Sequence, residues 1–129
     1  PDLAIKWLNE LKVRAFDSAY VFPNRRLSKM PHMGKDTLNR AISKLFGREP
    51  GRAVQPENKM GDLKHFTVHD LRRTSRSLLA LIGVPGHVAE SCLNHKIKGV
   101  EGIYNRYDYF EERKVALEQL ANKIASFIK

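Results

Sequence analysis

Cysteine is nearly absent: Cys92 stands alone in 129 residues, which excludes an internal disulfide framework and fits a reducing compartment. Long hydrophobic runs are missing as well. No apolar stretch approaches the roughly 20 residues that a membrane-spanning helix needs, and the first residues do not form a signal-peptide pattern. Acidic side chains are in short supply, 14 against 23 Lys+Arg, which leaves a formal net charge of +9. No internal repeat and no low-complexity tract appears. Nor does the sequence carry a carboxylate or Cys/His cluster of the kind that chelates a metal.

What is present is ordinary globular material, 42% hydrophobic and 29% charged, enough for one modest domain with a core and too little for two large lobes. A basic surplus of this size in so short a chain points to a polyanion partner, of which nucleic acid is the commonest. The same surplus also serves solubility. Its distribution is uneven. Residues 1–100 hold 18 basic and 9 acidic side chains, whereas residues 101–129 hold 5 of each. A polyanion surface should therefore exclude the C-terminal helix.

Spacing of the apolar residues predicts a mainly helical fold. Ala4–Lys12 carries Ile5, Leu8 and Leu11 beside Trp7 and reads as a short amphipathic helix. Ala19–Phe22 is a brief extended run closed by Pro23-Asn24, and Tyr20 within it reads as core. Asp36–Phe46 is helical, with Gly47 as its stop signal. Gly47 to Leu63, with three glycines and two prolines, reads as a mobile segment. Thr67 to Asp70 has the look of a capping box, opening a helix with Leu71, Leu78, Leu79 and Ile82 on its apolar side and Gly83 at its end. Pro85 can open the next helix, whose apolar positions are Val88, Ala89, Cys92 and Leu93. Gly99 and Gly102 punctuate a short helix around Tyr104. Phe110 to Ile128 forms a long last helix with Leu117, Leu120, Ile124 and Phe127 on one face.

The chemistry concentrates in His69-Asp70-Leu71-Arg72-Arg73-Thr74. At spacing i, i+3, His69 and Arg72 project from one side of a helix, and Arg76 follows at i+4 from Arg72. They fall in or near the first turn, where free amides and the helix dipole favour an anion. An imidazole and a guanidinium there can hold a phosphate through charge-assisted hydrogen bonds. The plainer alternative is a surface histidine beside a solvated basic run. His65 and His69 are also spaced H-x-x-x-H, but no third ligand lies near, so no metal site is expected. His32 and His87 read as surface residues, and Cys92 as core. Further on stand Leu93-Asn94-His95 and, nine residues after the histidine, Tyr104.

With these residues together, the sequence resembles the tyrosine recombinase (phage integrase) family, in particular the integrases of prophages and genomic islands. His69 and Arg72 match the family's His-x-x-Arg box. Leu93-Asn94-His95 is similar to its Leu-Gly-His box, with Asn94 in place of glycine, and Tyr104 matches the nucleophile by its spacing from His95. The likeness runs over Phe66–Ala121 and is poor in motifs over Pro1–Met60. It implies the C-terminal part of the recombinase catalytic fold, within a longer protein that supplies upstream an arginine, a lysine and a DNA-binding domain. The implied function is site-specific DNA integration and excision through a 3′-phosphotyrosyl intermediate. The implied partners are double-stranded DNA and other integrase protomers, with no membrane, in the bacterial cytoplasm at the nucleoid. No cofactor and no metal are implied. Tyr104 would be the nucleophile, Arg72 and His95 would hold the non-bridging phosphate oxygens, and His69 would accept or relay a proton. Tyr107 and Tyr109 are rivals to Tyr104 by helical periodicity, and only the distance from His95 separates them. Two other classes compete with this reading: a non-catalytic DNA-binding module that grips the backbone, and an assembly fragment whose terminal helix docks on another chain.

Overall fold

The computed structural model describes residues 1–26, 29–95 and 107–128. The described chain is mainly helical. Its elements in order are α1 (Asp2–Arg14), α2 (Thr37–Leu45), α3 (Val68–Leu81), α4 (Gly86–Cys92) and α5 (Phe110–Ala125). Extended pairing is confined, among the described residues, to two isolated bridges, Pro23 with His32 and Phe46 with Asn58. The helix expected around Tyr104 lies outside the described residues. Among those described, no helix is long and apolar enough to cross a membrane.

Helix ends follow local chemistry. At the start of α3 the Thr67 amide donates to the Asp70 carboxylate at 2.9 Å, the Thr67 hydroxyl donates to the same oxygen at 2.8 Å, and the Asp70 amide reaches back to Thr67 Oγ1 at 3.3 Å. This reciprocal box uses a carboxylate one methylene shorter than the usual glutamate. Three helices end the same way. After α2, α3 and α4 the chain turns left-handed at Gly47 (φ 72°), Gly83 (φ 83°) and Asn94 (φ 53°). In each case the amides of that residue and of the next fold back: Gly47 to Lys44 and Arg48 to Ser43, Gly83 to Ala80 and Val84 to Leu79, Asn94 to Ser91 and His95 to Glu90. These paired bonds satisfy carbonyls that a helix end otherwise leaves open. Pro85 stands just ahead of α4 with φ −56° and ψ 143°, so the helix itself begins at Gly86.

The contacts divide the chain into two compact units, Pro1–Asn9 with Arg72–Lys129, and Glu10–Leu71. In the first unit Leu79 and Ala89 are fully buried, joined by Val88, Ala116 and Leu120, with Cys92, Leu117 and Ile124 packed against them. Helices α3, α4 and α5 thus share one core. In the second unit Phe46 is buried, edge-on to Phe66 at 5.5 Å and tilted against His65 at 5.0 Å. The Gly47–Leu63 segment is tied back onto the end of α2, where the Lys59 amide donates to the Leu45 carbonyl at 2.8 Å. Within it, the Gln55 side chain bonds the backbone of Glu49 and Arg52.

Two expectations about the core are corrected. Tyr20 is 42% exposed, its ring lying against His32 rather than in the interior. Phe127 is 63% exposed at the end of the α5 stripe, with the Lys123 ammonium 5.1 Å above its ring.

Candidate anion-binding site

Arg72 stands in the first half of α3 and His95 just past α4, 23 residues apart in sequence. The fold brings them into contact: Arg72 Nε donates to His95 Nε2 at 3.1 Å. An Arg72 terminal nitrogen also donates to the Leu93 carbonyl, which pins the guanidinium to the end of α4. His95 is placed by its own backbone. Because Asn94 adopts the left-handed conformation, the chain reverses and the His95 amide bonds the Glu90 carbonyl at 3.0 Å. Asparagine is among the few residues other than glycine that tolerate this geometry.

The reversal also sets the His95 side chain over the last turn of α4. There its Nδ1 meets Glu90 Oε2 at 2.5 Å, while the other carboxylate oxygen accepts from Arg76 Nε at 2.7 Å. The result is a chain of polar contacts, Arg76–Glu90–His95–Arg72, spanning α3 and α4. The Arg76 hydrogen bond, and after it that of His95, holds the Glu90 carboxyl below the usual carboxylate range. Arg76, Glu90 and His95 each leave between a third and under a half of the side chain open. The cluster is therefore accessible to a ligand from solvent.

His69 lies one turn before Arg72 on α3 and is exposed; it belongs to the Glu10–Leu71 unit. Tyr104 falls outside the described residues. Of its rivals, Tyr107 is exposed and its phenol donates to Glu112 at 3.4 Å. The negative charge of Glu112 pushes that phenol above its ordinary value, which disfavours the phenolate a nucleophile needs. Tyr109 has φ 54° at the start of α5 and packs against the core, its ring 4.8 Å from that of His87. Cys92 is part-buried against the core and burial raises its thiol, in keeping with a packing role. His65 bonds Ser43 Oγ at 3.3 Å, and no group of three metal-ligating side chains occurs among the described residues.

Glu90 escaped the sequence reading. A lone glutamate on a short helix carries no motif, although its position five residues before His95 becomes informative once Asn94 is seen to reverse the chain. A second basic feature carries no sequence motif either. In the Glu10–Leu71 unit, Arg40, Lys44 and Arg48 follow at steps of four along and just beyond α2, and line a cavity of about 540 Å³ with Thr37, Ala41 and Glu49. That spacing puts Arg40 and Lys44 on one face of α2, while Arg48 lies past the left-handed turn at Gly47, which brings it beside them.

Compared with protein-family models, with curated proteins and with solved structures, the chain matches none.

Proposed function

We propose that this chain acts on double-stranded DNA as part of a tyrosine recombinase. The observation that carries the reading is the meeting of Arg72 with His95, two groups able to hold a phosphate, 3.1 Å apart from separate segments. A guanidinium and an imidazole so placed can donate to the non-bridging oxygens of one phosphodiester. Such donors lower the barrier to transfer as charge spreads onto those oxygens. The left-handed Asn94 also supports the reading, because it stands where the resembled Leu-Gly-His box has glycine.

In the proposed reaction the Tyr104 oxygen attacks phosphorus and the bond to the 5′-oxygen breaks. The products are a 3′-phosphotyrosyl link and a free 5′-hydroxyl. The phenol proton passes to His69, and the leaving oxygen takes its proton from the lysine that the family resemblance places upstream. A 5′-hydroxyl of a partner strand then attacks the link and restores the phosphodiester, so no external energy source is consumed. Tyrosine is a weak nucleophile at neutral pH, its ordinary pKa being about 10. Alignment on the phosphorus and removal of its proton during attack are what the site must supply.

The test has two parts. Duplex binding by this chain should weaken in Arg72→Ala and in His95→Ala. On a nicked suicide duplex, the chain joined to an upstream arginine- and lysine-bearing region should give a covalent adduct on denaturing electrophoresis. Tyr104→Phe should abolish it. Loss of both arginine and lysine typically costs far more than the roughly 100- to 1000-fold of one such contact, so this chain alone should give no adduct above trace. Duplex binding with no adduct in the joined protein would favour a non-catalytic binding module. Binding indifferent to Arg72 would overturn the site.

A further inference from the structure

Glu90 belongs to no part of the recombination reaction described above, yet both oxygens of its carboxylate are engaged. Oε1 accepts from Arg76 Nε at 2.7 Å and Oε2 meets His95 Nδ1 at 2.5 Å. One oxygen is thus tied to α3 and the other to the residue two positions past the end cap of α4. The Glu90 backbone carbonyl receives the His95 amide as well. His95 is therefore gripped twice by the same residue, once through its main chain and once through its ring.

An ionised carboxylate only accepts hydrogen bonds. Its partner Nδ1 must carry the proton. At the other side of the ring, Arg72 Nε can only donate, so Nε2 accepts. A single form of the imidazole satisfies both neighbours: neutral, with the hydrogen on Nδ1 and the lone pair on Nε2. We propose that Glu90 is the positioning residue of this site, fixing the His95 ring so that Nε2 alone faces the phosphate, and favouring the doubly protonated ring once a phosphate arrives. This rests on the reading of the cluster as a phosphodiester site.

The second half of the proposal follows from the ligand's chemistry. Phosphate oxygens offer lone pairs, so His95 can hold one only by donating from Nε2, which requires a second ring proton taken from solvent. Arg72 Nε then turns from His95 to the same anion. The Glu90 carboxylate on Nδ1 offsets the charge of the imidazolium, as paired carboxylates do for histidine generally. Among the described residues, the charged groups bonded to this carboxylate–imidazole pair are Arg76 and Arg72, both on α3. Arg76 keeps Glu90 ionised, and Arg72 opposes the added ring charge until the phosphate separates the two.

The experiment uses the 129-residue chain with two variants. Glu90→Gln keeps an acceptor for Nδ1 and removes the charge; Glu90→Ala removes both. Nitrogen-15 NMR of the His95 ring, in protein without DNA, is read in an Arg72→Ala background, where no guanidinium claims Nε2, and should show the Nδ1–H form with Glu90 intact and in Glu90→Gln. In Glu90→Ala of the same background it should show a mixture of tautomers. Binding of a short duplex, followed against pH, should fall off at lower pH in Glu90→Gln than in the parent, with about tenfold weaker affinity near neutrality. An unchanged ring signature in Glu90→Ala would overturn the proposal. So would an unchanged pH profile in both variants while His95→Ala still weakens binding. Failure of the DNA reading looks different. There the parent would show no Arg72-dependent affinity for the duplex, and the ring measurement would still decide what Glu90 does to His95.

Discussion

At the scale of the residue, Glu90 and Asn94 matter most, for opposite reasons. Glu90 is held low by the Arg76 hydrogen bond, with His95 second. A carboxyl whose folded-state pKa is depressed contributes stability above its unfolded value, and loses it as pH falls through the folded one. Glu90→Gln should accordingly melt at a lower temperature than the parent at pH 7, with the difference vanishing well below about pH 4. The side chain is 39% exposed, so screening keeps the effect to about 1 kcal/mol or less. A pair of thermal melts at the two pH values checks the sign. Asn94 works through its backbone. With φ at 53°, Asn94→Gly should hold or raise the melting temperature. Asn94→Val should cost about 1 to 2 kcal/mol and, by displacing His95, should also impair the site.

At the scale of the element, α3 joins the two roles of the chain. The face that buries Leu79 among Val88, Ala89, Ala116 and Leu120 also carries Arg76 and Arg72, about one and two turns before it. Truncating Leu79 to Ala removes packing atoms from the centre of three helices, where collapse into the void is limited. The expected loss is about 3 kcal/mol in urea unfolding, a large part of what a domain of this size has. Because α4 is short, its position depends on that core, and Leu79→Ala should loosen the Arg72–His95 contact as well. Helix α1 behaves differently. Its apolar stripe was legible from spacing, yet Ile5, Trp7 and Leu8 are each more than half exposed and no residue of the helix is buried. Amphipathic spacing says which face could be covered, and only packing says whether it is.

At the scale of the whole molecule the governing quantity is the net charge of +9. If duplex DNA is the partner, the logarithm of the binding constant should fall linearly with that of salt concentration, with a slope of about −0.9 per phosphate neutralised. Arg72→Ala should reduce that slope by about one contact, whereas Lys129→Ala should leave it unchanged. The group of Arg40, Lys44 and Arg48 around one cavity offers a separate check, since replacing Arg40 and Arg48 should weaken binding without touching the Arg72 cluster. Titrations at several salt concentrations would give all these slopes. A flat response would reassign the basic surplus to solubility.

Much of the helical layout was determined by the sequence alone, because its signals are local. The Thr67–Asp70 box, the glycines at 47 and 83, and the apolar steps of α3 and α5 each act within a few residues, over distances that the backbone itself fixes. That His69 and Arg72 fall on one helix was legible for the same reason. Tertiary structure alone decided that Arg72 would meet His95, since that contact needs α3 and α4 to share the Leu79 core and the chain to reverse at Asn94. It also decided the part played by Glu90, whose two oxygens are claimed by residues 14 positions before it and 5 after it. Hydrogen bonds between helices depend on where the helices dock, and docking is set by the shape of a core to which many distant residues contribute.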